Sequence, residues 1–252
     1  EMETDAREVY FGHLKTLYSN DFSWTTERVL PSKKTAIETT EAAVMQMEED
    51  GRWLYRAQAR TSGKGSSSTI DREIFINVTG SWYCFPDLKV AVRTAGPEAQ
   101  PVLSYNRVVS EIDNRFIFDS EVRRGMRGAK SCFVITARLK NHKTQSSPLF
   151  QLPPLGGDNT ELMIRSVWVI ADDYSAVYTR AFYDPSGKLI SRNDYSRFER
   201  GPRRQMSYFG VPHGYLLSTP TSSEQRRQIM MELTTEDRAR RATIKRTAKS
   251  PQ

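Results

Sequence analysis

The chain has 252 residues, 38% of them hydrophobic and 10% aromatic, enough apolar material for one large β-domain or one medium domain with tails, with a buried core in either case. Its two cysteines, Cys84 and Cys132, show no CxxC or Cys/His spacing. That argues against a disulfide framework or structural zinc, and no apolar run is long enough for a membrane-spanning helix. The net charge of +7 invites an anionic partner, and much of the excess lies among the arginines and lysines of residues 200–249. The first residue is Glu1 with no leader-like pattern behind it, which suggests a processed chain.

Residues 5–18 place Val9, Tyr10, His13, Leu14 and Leu17 at helical spacing, with Asp5 available as a cap, and predict a short amphipathic helix. Beyond Trp24 the pattern alternates and is split by Asp50-Gly51, a hairpin dipeptide. ETTEAAVMQMEE before that turn suits either a helix or a strand; WLYRAQART after it is strand-like. SGKGSSS, 62–68, is a loop by composition. Then come TIDREIFINVTG, SWYCFPDLKVAVRT, VLSYNRVVSEIDNRFIFDSEVRRG and KSCFVITARLKN, each β-branched or aromatic and punctuated by Gly, Pro or Asp-Asn. Asn77-Val78-Thr79 is a glycosylation sequon that reads as mid-strand.

The proline-rich segment 143–160 predicts a long loop, a lid or a connector. Two further strands, ELMIRSVWVIAD and YSAVYTRAFY, lead through the DPSG turn into KLISRNDYSRF. Eight to ten strands over residues 33–199 in meander order predict an all-β, closed up-and-down barrel, which removes exposed strand edges. Residues 201–252 read as a basic extension. YFGVPHGYLLSTP is an irregular arm, a capping box at Thr221–Glu224 opens one helical segment, and Thr234 opens a second. Neither segment carries a wide apolar stripe, so both read as solvated or partner-bound.

The three histidines stand in unrelated contexts, which leaves metal or histidine chemistry unsupported. Cys84 and Cys132, each beside aromatics, are either small core residues or covalent-attachment nucleophiles. The DPSG hairpin carries more. With Gly187 in a left-handed bulge, Asp184 faces Lys188, Tyr183 faces Leu189 and Phe182 faces Ile190. That register sets Arg180 opposite Arg192 and Tyr178 opposite Asp194. Facing arginines need a counter-anion such as Asp194, a bound carboxylate, or exposure on the outer wall. Arg165 and Trp168 on the preceding strand complete a candidate ligand-binding set of Arg165, Trp168, Arg180, Arg192 and Asp194. The barrel lining is expected to include Trp82, Tyr83, Phe116, Phe118 and Trp168.

The opening helix followed by Trp24-Thr25-Thr26-Glu27-Arg28, the alternating strand ending in MQMEEDG, and Ile164-Arg165-Ser166-Val167-Trp168 resemble the calycin superfamily, and within it the S/U-type phycobilin lyases. The resemblance implies a lipocalin-like barrel, a linear tetrapyrrole as ligand, and a plastid or photosynthetic setting. Met163 and Ile164 stand where the family has acidic residues, so the leading expectation is a non-catalytic ligand- or partner-binding accessory protein. A bilin lyase is the enzyme alternative, with Arg165, Arg180 and Arg192 holding propionates and Asp194 assisting protonation. A structural subunit of a large organellar complex, docked to protein or nucleic acid through residues 201–252, is the third.

Overall fold

The structure, a computed structural model, describes residues 5–18, 21–32, 35–49, 52–61, 70–97, 109–110, 112–114, 116–140 and 165–247. The Asp50-Gly51 turn, the SGKGSSS loop, the 143–160 segment, and Met163 and Ile164 lie outside the described residues. The fold is mostly β. A helix, α1 (Ala6–Tyr18), precedes β1 (Phe22–Val29), β2 (Glu38–Gln46), β3 (Trp53–Thr61), β4 (Arg72–Asn77), β5 (Gly80–Phe85) and β6 (Val90–Ala95). The second half supplies β7 (Phe116–Phe118), β8 (Arg123–Arg127), β9 (Lys130–Leu139), β10 (Arg165–Ala171), β11 (Val177–Tyr183) and β12 (Leu189–Arg200). A three-residue β13 (Leu216–Ser218) and a long helix, α2 (Ser223–Thr247), end it.

The strands form one sheet in the order β13-β6-β5-β4-β3-β2-β1-β12-β11-β10-β9-β7, with β8 beside β9. Neighbours pair antiparallel except β13, which runs parallel to β6. The up-and-down barrel expectation holds, but its closure does not. The two halves of the meander join where β1 pairs β12, and among the described residues nothing pairs the β6 side with the β7 side. The result is an open barrel with thirteen strands among the described residues. One strand, FSWTTERV, lies before the region from which strands were expected. Its only clear alternation is Phe22, Trp24 and Thr26 on the inner face, too short a run to announce the strand that joins the two halves. ETTEAAVMQ resolves as strand β2, since its partners on both sides need a ladder.

The core lies on the inner face, where α1 is wrapped by the sheet. Val9, Tyr10, His13 and Leu14 of the predicted stripe are all buried. The apolar members join Trp24, Val44, Tyr55, Phe116, Phe133, Ile135, Trp168 and Ile170 in one cluster that reaches from β3 round to β9. Asp5 caps the helix, accepting from the backbone N–H of Arg7 at 3.1 Å. Residues 109–110 and 112–114 are helical rather than extended, and Ile112 is buried in the same cluster.

The other end of the sheet is covered on both faces. Cys84 and Phe85, and Ala91 and Val92, are consecutive buried pairs, and neighbours in a strand point to opposite sides. On the outer face Phe75, Trp82, Cys84 and Ala91 form a patch under Val211 and Tyr215, and Ala43, Met45 and Leu54 receive Phe209. Trp82 is therefore an outer-face residue, not barrel lining; Tyr83 next to it faces inward, as period two requires. Polar contacts fix the arm further. Asn77 Nδ2 donates to the Phe209 carbonyl at 3.0 Å, and the Arg56 guanidinium lies 4.7 Å over the Tyr208 ring. The sequon asparagine thus ends its strand with its amide engaged.

Candidate functional site

The five predicted site residues fall on two faces. The DPSG turn forms as expected, with Gly187 at φ 82° and Tyr183 opposite Leu189. One bulge later the register moves. Phe182 faces Ser191, Ala181 faces Arg192, Arg180 faces Asn193 and Thr179 faces Asp194, so Ile190 is the extra residue. A slip of one residue reverses every side chain beyond it. Arg180 points inward with Trp168, and Arg192 and Asp194 point outward. In the unbulged register both guanidiniums would enter the core, and a second buried cation costs several kcal/mol. Instead Arg192 Nη2 lies 2.9 Å from Asp194 Oδ2 on the outer wall. Thr179 bonds the other oxygen of Asp194 at 3.2 Å, and Arg127 donates to Thr179 at 2.7 Å. Arg165 is also outside, stacked 4.4 Å over the Tyr183 ring.

The inner pair is plugged rather than open. Arg180 is 2% exposed, with its guanidinium 5.0 Å from the Trp168 ring centroid and 4.6 Å from that of Phe182. Tyr10 of α1 sits 5.3 Å from Trp168, edge to face. Burial pulls the Arg180 pKa down, and the neighbouring Tyr195 and Tyr10 oppose that pull. Arg180 lies on the inner face and Arg165 and Arg192 on the outer, so the thickness of the sheet keeps Arg180 apart from the other two.

His13 is fully buried on α1. Its ring Nδ1 lies 2.8 Å from the Tyr174 carbonyl, so the neutral tautomer carries the proton there. Burial lowers its pKa to about 4, against the partial support of that backbone bond. The unfolded state, with the ordinary value near 6.5, therefore binds more protons between pH 6.5 and 4. His13 stability is fully present above pH 6.5 and falls as pH drops through that window, by on the order of 3 kcal/mol. Urea midpoints measured from pH 7 to pH 4 should show this loss, and His13→Met should flatten it; parallel profiles would refute the assignment.

The C-terminal chain wraps the sheet edge at β6. The arm crosses the outer face, β13 pairs with β6 through Leu216 N–H to the Lys89 carbonyl at 2.8 Å, and α2 returns on the inner side. Its start is capped by Ser222, which accepts from Gln225 N–H at 3.1 Å. The two expected helical segments are one continuous helix of 25 residues. Two anchors place it. Arg226 donates to the Thr94 carbonyl at 2.6 Å. Arg241 binds Asp71, Asp87 at 3.2 Å and Asp237 at 2.8 Å.

These contact residues belong to one helical stripe, Arg226, Ile229, Met230, Leu233, Thr234, Asp237 and Arg241, every member of which is only half-buried. On the inner face of β4 and β5, Ile74, Ile76 and Tyr83 are also half-buried, with the Arg72–Glu38 ion pair at 2.7 Å on the same face. The stripe was legible as i, i+3, i+4 spacing of Ile229, Met230 and Leu233, but it is narrow and interrupted by charge. Nothing in the spacing says that the helix is tied to the chain's own sheet.

No protein-family model matches the chain, and no curated protein matches it in sequence. Solved structures do. An uncharacterized conserved protein from Thermus thermophilus superposes with a TM-score of 0.53 at 12% identity, covering 85% of this chain and 99% of that one. MucB superposes with a TM-score of 0.50 at 9% identity, covering 84% of this chain and 65% of that one. The complex of Pseudomonas aeruginosa MucA and MucB gives 0.48 at 10% identity, covering 83% and 62%. At these identities the first two establish a shared open β-barrel fold. The tetrapyrrole ligand and plastid setting gain no support from this likeness of fold. Among the described residues, no helix is long and apolar enough to cross a membrane.

Proposed function

We propose that the protein is a non-catalytic binding protein that holds an elongated apolar ligand between α2 and the inner face of β4–β6. On this reading residues 1–200 form the barrel and residues 201–252 a clip over its β4–β6 end. One observation supports it: Ile229, Met230 and Leu233 on α2 and Ile74, Ile76 and Tyr83 on the inner face of β4 and β5 are all half-buried, and Arg226 and Arg241 tie α2 to this end of the sheet. Apolar area left half-wet between two walls is area a ligand can remove from water, at about 25 cal/mol per Å². The Arg72–Glu38 pair and Arg241 with its three acids are already paired at this end, which favours an apolar body over a highly charged one. The cysteines do not support covalent attachment. Both are buried, and burial pushes the Cys84 thiol up to about 12 and raises Cys132 as well.

Titration with a fluorescent long-chain fatty acid tests the reading. Leu233→Glu, at a half-buried helix position, should weaken binding by about tenfold or more while leaving the thermal midpoint nearly unchanged. Equal binding by the wild-type and variant proteins would move the ligand elsewhere or remove it. Phycobilin serves as a second probe. A shifted, intensified visible absorption that Leu233→Glu abolishes is the result expected if the ligand is the tetrapyrrole implied by the family resemblance, and an unchanged spectrum excludes it.

A further inference from the structure

The outer face of the sheet is covered unevenly. The arm packs on it over β2–β6, whereas among the described residues no hydrophobic cluster reaches the outer face of β9–β12. The strand registers lay this wall out in rows. One runs Val134, Val169, Thr179, Asp194, Glu27; the next Thr136, Val167, Ala181, Arg192; the third Ile117, Arg138, Arg165, Tyr183. The valines and threonines at the centre are half-buried, and Ile117 is 50% exposed.

Charge on the wall has a pattern. Arg165 lies opposite Arg138, and Glu27 lies opposite Asp194; like charges directly opposite each other are destabilising. One member of each pair is neutralised within the chain, Arg138 at 3.0 Å from Asp119 and Asp194 at 2.9 Å from Arg192. The side chains of the other two, Arg165 and Glu27, make no hydrogen bond or ion pair among the described residues. Arg165 has the Tyr183 ring against it, and its buried Nε has no acceptor.

We infer that the outer wall of β9–β12 and β1 is a self-complementary interface through which two copies of this chain form a two-fold dimer, Arg165 of each meeting Glu27 of the other. The two uncompensated charges have opposite sign, so the wall lacks the single sign that a nucleic acid or an anionic bilayer requires. Between them Val167, Val169 and Ala181 supply an apolar centre with charges at its rim, the anatomy of a protein interface. The registers also allow the symmetry. Glu27 is level with Val169, so it stands three strands across and four residues along from Arg165, about 14 Å and about 13 Å at ordinary spacings. A two-fold axis in the wall that bisects the line between them sets each arginine over the other copy's glutamate. Because the two offsets are similar, the strands of the two copies then cross near a right angle, one of the two ways in which sheets pack.

Sedimentation equilibrium of the full chain tests the inference. The wild-type protein is expected to be a dimer. Arg165→Glu and Glu27→Arg should each weaken self-association by on the order of a hundredfold or more, since each sets like charges together twice in the dimer. An equimolar mixture of the two variants should dimerise again, because each supplies the charge that the other lacks, and the double variant should dimerise by itself. That recovery also shows that the variants are folded. Leu233→Glu should dimerise as the wild-type protein does, which separates this test from that of the ligand site. A wild-type monomer overturns the inference and leaves the wall to a different partner. A dimer that neither single variant weakens, or a mixture that stays monomeric, overturns it as well.

Discussion

Trp168→Ala is expected to lower the unfolding free energy by about 3–5 kcal/mol, among the largest effects of any single substitution in this chain. Trp168 is 1% exposed and lies directly opposite Arg180 in the β10–β11 ladder. It fills the space between Tyr10 of α1 and the guanidinium, so its removal deletes apolar burial, an edge-to-face aromatic contact and a cation–π contact together. The remaining groups cannot collapse without drawing α1 inward, and Arg180 would be left with less of its aromatic enclosure. Trp168→Phe should recover roughly half of the loss, because it restores ring area without the indole's reach. Urea unfolding of both variants gives the answer. A loss below about 1 kcal/mol for Trp168→Ala would mean that the inner face at β10–β11 is open, as a ligand-binding Trp168 requires, and not plugged by α1.

Phe209→Ala should act locally but severely. Phe209 is fully buried between Ala43, Met45 and Leu54 on the outer face, and it anchors a segment that otherwise holds the sheet by Asn77, Arg56 and the packing of Val211 and Tyr215. About 3–5 kcal/mol of burial leaves with the ring, comparable to what a segment of this size can gain in net stability. The arm should therefore open while the α1 core stays folded. Limited trypsin digestion should then cut at Arg203 and Arg204 much faster than in the wild-type protein. Fatty-acid binding should fall as well, because α2 reaches the inner face only through the arm and β13. Unchanged cleavage and unchanged binding would show that α2 is held by its own contacts alone.

Much of the barrel could be read from residues, and the reasons it could be read are local. Alternation in REIFIN, SWYCF and KSCFVITARL, the stripe of Val9, Tyr10, His13 and Leu14, and the turn residues of DPSG are short-range signals that the tertiary structure did not override. The sites of failure are equally specific. The bulge at Ile190 has no glycine or proline to announce it. It is set by the need to keep one arginine out of the core, a constraint visible only once α1 is known to lie over Arg180. The opposite faces of Trp82 and Tyr83 follow from period two, but which of them is inner depends on what covers each side. The clip was hidden for the same reason: Phe209, Val211 and Tyr215 are apolar residues in an irregular segment, and only the outer patch of Phe75, Trp82 and Cys84 explains them.

Amide hydrogen exchange with and without a bound long-chain fatty acid tests the central claim most directly, that the ligand site lies between α2 and β4–β6. The account predicts added protection in residues 74–83 and 229–237, with α1 and β9–β12 unchanged. Protection confined to α1 and the strands around Trp168 and Arg180, with none in α2, would contradict it.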